Sequence, residues 1–251
     1  MTQYLQENYL TKKMENNYLH QQILDRYQTN NLFLHYQLKE LQNINVNNEF
    51  VCSLLKAFDN SNTFPKEELN KFSLAIILDY IQRTHAYYIT KKLPEIAQSI
   101  SLLLLDEDSH HHVLLHRLNT FFKQFYSDII LHIHQEENRL LPYINYLRNV
   151  IENGFNSKIY FNNKHVFSLQ LFINNHKDNT ETELQFMLNL IENYKPHFTN
   201  QTPYRILKLQ LQTFEKDLKV HALIEDDILI PRALQLEKQL AKKLSDLIKV
   251  N

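Results

Sequence analysis

Glycine occurs once in these 251 residues, at Gly154, and proline six times. Tight hairpins depend on glycine to reach positive φ, so a sheet would have almost nothing to turn on. Leu, Lys, Glu, Gln and Ile are plentiful instead, and most of these favour helix. The composition therefore predicts an all-α chain, long enough to bury a substantial core in one or two domains.

Formal net charge is −1, with acidic and basic residues mixed along the chain. No long run of one sign offers a phosphate-binding or anionic-membrane surface, so neither nucleic acid nor membrane is an expected partner. The opening MTQYLQENYLTKK lacks an apolar targeting core, and the apolar runs fall short of a spanning helix; the expected location is the cytoplasm. Cys52 is the single cysteine, which excludes an intramolecular disulfide or a cysteine-rich metal site built by one chain.

Residues 1–62 carry helical spacing at Leu24, Tyr27, Leu34 and Leu38, then break at DNSNTFP. They read as an N-terminal helical segment, leaving residues 63–251 as the main domain. That domain opens with PKEEL, whose proline and two glutamates suit a helix's first turn.

Four apolar stripes at steps of three and four follow. They are Leu74, Ile81, His85, Tyr88; Leu118, Phe122, Phe125, Ile129, His132, Glu136; Leu169, Phe172, His176, Leu184, Met187; and Leu207, Leu211, Phe214, Leu218, His221, Glu225. Breaks near Asp106–Ser109, Gly154–Ser157 and KPHFTNQTP separate them, and a C-terminal helix follows Pro231. The expected architecture is an up-down-up-down four-helix bundle.

Two of these stripes end in one phrase: HIHQEENRLLP, with His132, Glu136 and Pro142, and HALIEDDILIP, with His221, Glu225 and Pro231. A His and a Glu four apart project from one helix face and offer an imidazole and a carboxylate to a common point. A further His precedes each phrase, His85 by 47 residues (132 − 85) and His176 by 45 (221 − 176). Four His and two Glu thus form two matched halves.

Ligands on neighbouring antiparallel helices share a level only when equally far from the connecting turn. His176 lies 20 residues before Pro196 and His221 lies 18 after Pro203; His132 lies 10 before Pro142 and His176 lies 11 after a restart at His165. His85 matches only if its helix continues past Pro94 to a turn near Asp106, as the spacing of Ile96, Ile100, Leu103 and Leu104 suggests. The triplet His110, His111 and His112 falls about 30 Å from His132 at 1.5 Å per residue, so it lies outside the set. His116 and His165 also miss the level, and His134 faces away.

A lone His on an apolar face is commonly a core residue satisfied by hydrogen bonds. Four at one level with two carboxylates differ, because a buried carboxylate needs cations, hydrogen bonds or protonation to offset several kcal/mol of desolvation. Imidazole with carboxylate suits iron, manganese or zinc, and two bridging Glu with two His per ion describe a binuclear centre. No HExxH is present, which disfavours a zinc peptidase.

These motifs, with RTHAYYITKKLPEI around His85 and HKDNTETELQFMLNLIENY from His176, resemble the hemerythrin-like di-iron proteins over roughly residues 68–235. Within that family the symmetric ligand set is similar to the repair-of-iron-centres (RIC) group; oxygen-carrying hemerythrins typically use five His with a Glu and an Asp. The resemblance implies a four-helix bundle holding two iron ions in an oxo- and carboxylate-bridged centre. Glu136 and Glu225 would bridge, with His85, His132, His176 and His221 as terminal ligands.

It further implies a stress-response protein that helps repair iron–sulfur clusters damaged by nitrosative or oxidative stress, with iron donation to iron–sulfur client proteins as one route. The alternatives are reversible oxygen or nitric oxide binding or sensing, and nitric oxide or peroxide reduction; catalytic turnover is left open, as is a homodimer. Two departures matter. The adjacent cysteines many RIC proteins carry near the N-terminus are missing, and the connection over residues 143–165 is long.

Overall fold

The structure, a computed structural model, describes residues 18–27, 47–59, 64–105, 112–153, 168–175, 180–193 and 202–250. All elements within them are helical, and no strand occurs among the described residues. None of these helices is long and apolar enough to cross a membrane.

Helices α1 (Tyr18–Asp25), α2 (Asn48–Asp59) and the single turn α3 (Lys66–Leu69) come first. The PKEEL start expected to open a long helix therefore makes one turn only. The helix bearing His85 begins later, where Ser73 in extended conformation accepts the Ile76 N–H at 3.4 Å as an N-cap. It runs as α4 (Leu74–Tyr87), a π turn (Tyr88–Lys92) and α5 (Leu93–Leu105).

The second run is α6 (His112–Gln135), a π turn (Glu136–Leu140) and α7 (Leu141–Asn153). Shorter helices α8 (Leu169–Asn175) and α9 (Thr180–Asn193) follow, then a third run of α10 (Thr202–Ile224), a π turn (Glu225–Leu229) and α11 (Ile230–Val250). The third apolar stripe is thus carried by two helices, with residues 176–179 outside the described set.

All three π turns end two residues before a proline: Lys92 before Pro94, Leu140 before Pro142, Leu229 before Pro231. A proline inside an α-helix lacks the N–H for its i−4 carbonyl, and its ring collides with that carbonyl. A locally wider turn relieves the conflict without ending the helix. Its i→i−5 bonds run from Leu93, Leu141 and Ile230 N–H to the carbonyls of Tyr88, Glu136 and Glu225.

Helical continuation past Pro94 therefore holds, and α5 and α6 place His85 and His132 each 20 residues from the intervening gap (105 − 85; 132 − 112). The turn expected at Pro142 does not exist, because the second run continues to Asn153. Nor is the C-terminal helix separate, since it prolongs α10.

Helix α5 packs against α6 and α10, and α9 against the same two. Their shared core contains Ile96, Leu118, Phe125, Leu184, Leu207 and Phe214. Below the π turns a second core joins α1, α2, α4, α7 and the end of α10 through Ile23, Leu54, Ile77, Ile144 and Ile224. Helix α11 packs on α7, where the Tyr143 hydroxyl donates to Glu237 at 2.5 Å. Fully burying one such large apolar side chain contributes about 1.5–3 kcal/mol.

Candidate metal centre

The seam between the two cores is polar. His85 lies between Ile81 of the lower core and Tyr88 of the upper; Glu136 lies between Ile133 and Leu140, and His221 between Leu218 and Ile224. Each long run crosses this seam at its π turn, two of which begin at Glu136 and Glu225 themselves. π turns inside α-helices are frequent at functional sites.

One ligand atom each from His85, Glu136, His221 and Glu225 lie within 4.8 Å of one another, and all four residues are buried. His85 Nε2 is 3.1 Å from Glu136 Oε2 and 3.3 Å from His221 Nε2. His221 Nε2 is 3.4 Å from Glu225 Oε1. The other oxygen of Glu136, Oε1, lies 3.1 Å from His132 Nε2, so this carboxylate reaches an imidazole on each side. His132 sits at the rim, its side chain 18% exposed.

These separations fit a metal. Ligand bonds of about 2.1 Å place neighbouring donor atoms roughly 3.0–3.4 Å apart around one ion. The donor set, buried imidazole with carboxylate, suits a transition metal, and the four residues can hold a metal ion.

The imidazoles differ electrostatically. Burial pulls the His85 pKa down, but hydrogen bonds with Glu136 and Glu137 outweigh it and hold the ring above its ordinary value. His221 moves the other way: burial first, then the neighbouring His85 charge, depress it well below its usual range. His221 is therefore neutral, the form that ligates metal.

His176, the sixth residue expected, lies outside the described residues, as do His110, His111 and His165; the side chain of His112 is likewise not described. His116 and His134 are exposed on α6, in keeping with the surface positions expected from the level of the first and the phase of the second.

Three features escaped sequence reasoning. Glu137 meets His85 Nδ1 at 2.7 Å. Arg26, from the N-terminal segment, forms an ion pair with Asp217, both side chains fully buried, and donates to the Tyr80 hydroxyl at 2.6 Å and Thr84 Oγ1 at 3.1 Å. Lys92, fully buried, donates to Gln22 at 3.3 Å and Thr213 at 3.1 Å; burial pushes its pKa down to about 8.

A signal existed for two of these residues. Lys92 continues the Ile81, His85, Tyr88 stripe, and Asp217 lies four residues before His221 on the same face. Nothing in the sequence points to Arg26. No protein-family model matches this chain, and no curated protein is significantly similar to it.

Proposed function

We propose that this chain is a hemerythrin-like di-iron protein of the RIC type, with α4–α5, α6, α8–α9 and α10 as the four members of an up-down-up-down bundle. Its function is to help restore iron–sulfur clusters damaged by nitrosative or oxidative stress, in the cytoplasm, with iron–sulfur proteins as clients. The convergence of His85, Glu136, His221 and Glu225 at one buried level is the observation that carries this reading.

Support comes from the pairing of the two sequence halves. Each His-x-x-x-Glu phrase delivers its imidazole and carboxylate to the same point, with 3.1 Å and 3.4 Å separations inside the pairs. Glu136 faces both His85 and His132, which suits a bridging carboxylate between two ions. His176 would complete the second half.

Bound iron would supply redox chemistry and open positions for small ligands. The chain's own contribution is neutral nitrogen donors, two carboxylates that offset the ions' charge, and apolar layers on both sides that exclude bulk water.

The burial of four of the proposed ligands also favours a second reading, reversible binding of a small gas such as oxygen or nitric oxide. Metal analysis of the purified protein, with absorption spectra before and after reduction and nitric oxide exposure, tests both. About two irons per chain with chelator-accessible release supports donation, and a spectral change fully reversed on gas removal supports storage or sensing. Metal-free or zinc-only protein would sink both.

A further inference from the structure

Glu137 follows the buried Glu136 directly, and the two carboxylates address opposite nitrogens of one imidazole. Glu136 Oε2 is 3.1 Å from His85 Nε2, while Glu137 Oε1 is 2.7 Å from His85 Nδ1. Successive residues on a regular α-helix do not share a face. Here both sit at the start of the π turn Glu136–Leu140, whose extra residue per turn brings neighbouring side chains closer in direction.

Both carboxylates accept, so the two ring nitrogens compete for the proton of a neutral imidazole, and the 2.7 Å contact with Glu137 is shorter than the 3.1 Å contact with Glu136. A neutral imidazole holds one proton, so where Nε2 serves as a metal donor that proton resides on Nδ1 and is held by Glu137. The other oxygen of Glu137 accepts from Gln82 Nε2 at 3.4 Å, one turn before His85 on the same helix. His221 differs, since its buried Nδ1 has no hydrogen-bond partner among the described residues.

We infer that Glu137 is the positioning residue of the metal centre, fixing the tautomer and ring orientation of His85 through Nδ1–H and strengthening Nε2 as a donor, with Gln82 holding Glu137 in place. Carboxylates in this position typically contribute 10- to 100-fold in metal affinity. The inference rests on the metal-centre reading above and assigns to Glu137 a role that Glu136, its neighbour, cannot share.

The test uses the full-length apoprotein, titrated with Co(II) and followed by absorption, in wild type, Glu137→Ala and Glu137→Gln. Glu137→Ala should weaken binding about 10- to 100-fold; Glu137→Gln, whose amide oxygen still accepts from Nδ1–H, should lose clearly less. Nitrogen-15 shifts of the His85 ring in the apoprotein, recorded at a pH where the ring is neutral, give an independent readout. The Nδ1–H form should dominate in wild type and Glu137→Gln and give way to a tautomer mixture in Glu137→Ala.

Wild-type affinity in Glu137→Ala with an unchanged His85 tautomer would overturn the inference. Failure of wild type itself to bind Co(II) would instead overturn the metal reading. Should Glu137→Ala fold poorly, the comparison of Glu137→Gln with wild type decides: a loss as large as 100-fold despite a retained Nδ1–H tautomer refutes positioning through that bond.

Discussion

Arg26 and Asp217 form a fully buried ion pair 191 positions apart in sequence, one helical turn before His221. The guanidinium also lies 5.3 Å to 5.7 Å from the ring centroids of Tyr80, Tyr87 and Tyr88. The N-terminal segment thereby supplies a cation to the buried face of the helical run that carries His221 and Glu225.

Breaking that pair should be costly. Removing one partner of a buried ion pair typically destabilises by about 3–5 kcal/mol, because the other charge is left uncompensated. Arg26→Ala should therefore lower the urea midpoint strongly, whereas Arg26→Met with Asp217→Leu should recover much of the loss. An Arg26→Ala variant within about 1 kcal/mol of wild type would refute the role assigned to this pair.

Lys92 predicts a rise in stability at alkaline pH. Its pKa falls from 10.5 to about 8 on folding, so between those values the unfolded chain binds the proton and the native one does not. Stability must then increase with pH across this window, by up to about 3 kcal/mol. Above pH 10 the trend reverses, because burial holds the Tyr27, Tyr80, Tyr87 and Tyr88 hydroxyls above their ordinary value and only the unfolded chain ionises them. Denaturation midpoints at pH 7 to 10 should climb in wild type and stay nearly flat in Lys92→Met; equal slopes would show that Lys92 is not the source.

Metal content should separate the two classes of histidine and carboxylate. Glu136→Ala and Glu225→Ala should lose bound metal, as measured by elemental analysis, while His111→Ala should retain it. Equal loss in all three would mean that the shared level of the ligands is not what selects them.

Phe214 packs at 5.1 Å from Tyr88 and 6.0 Å from Phe125, fully buried above the seam. Phe214→Ala should cost about 3–5 kcal/mol through lost burial and a residual cavity. A calorimetric melting temperature unchanged from wild type would show that this core relaxes around the gap.

Much of this protein was legible in its residues. A chain with one glycine and steps of three and four between apolar positions can satisfy its backbone and its core only as helices, and a His four before a Glu must share a helix face. Those local rules named His85, Glu136, His221 and Glu225, which the structure brings together, and carried the helix through Pro94. They misjudged Pro142 and Pro231, where a proline suggested an end, because a π turn two residues earlier absorbs the clash, and no local pattern announces that. They were also silent on Glu137 and Arg26. Whether an acidic side chain beside a ligand grips His85, or an arginine in a polar N-terminal segment is buried against Asp217, depends on how distant helices approach one another. The sequence by itself determined the helices and the faces that carry the ligands. Only tertiary packing decided which charges those faces would enclose, since burying a charge is favourable only where its partner already stands.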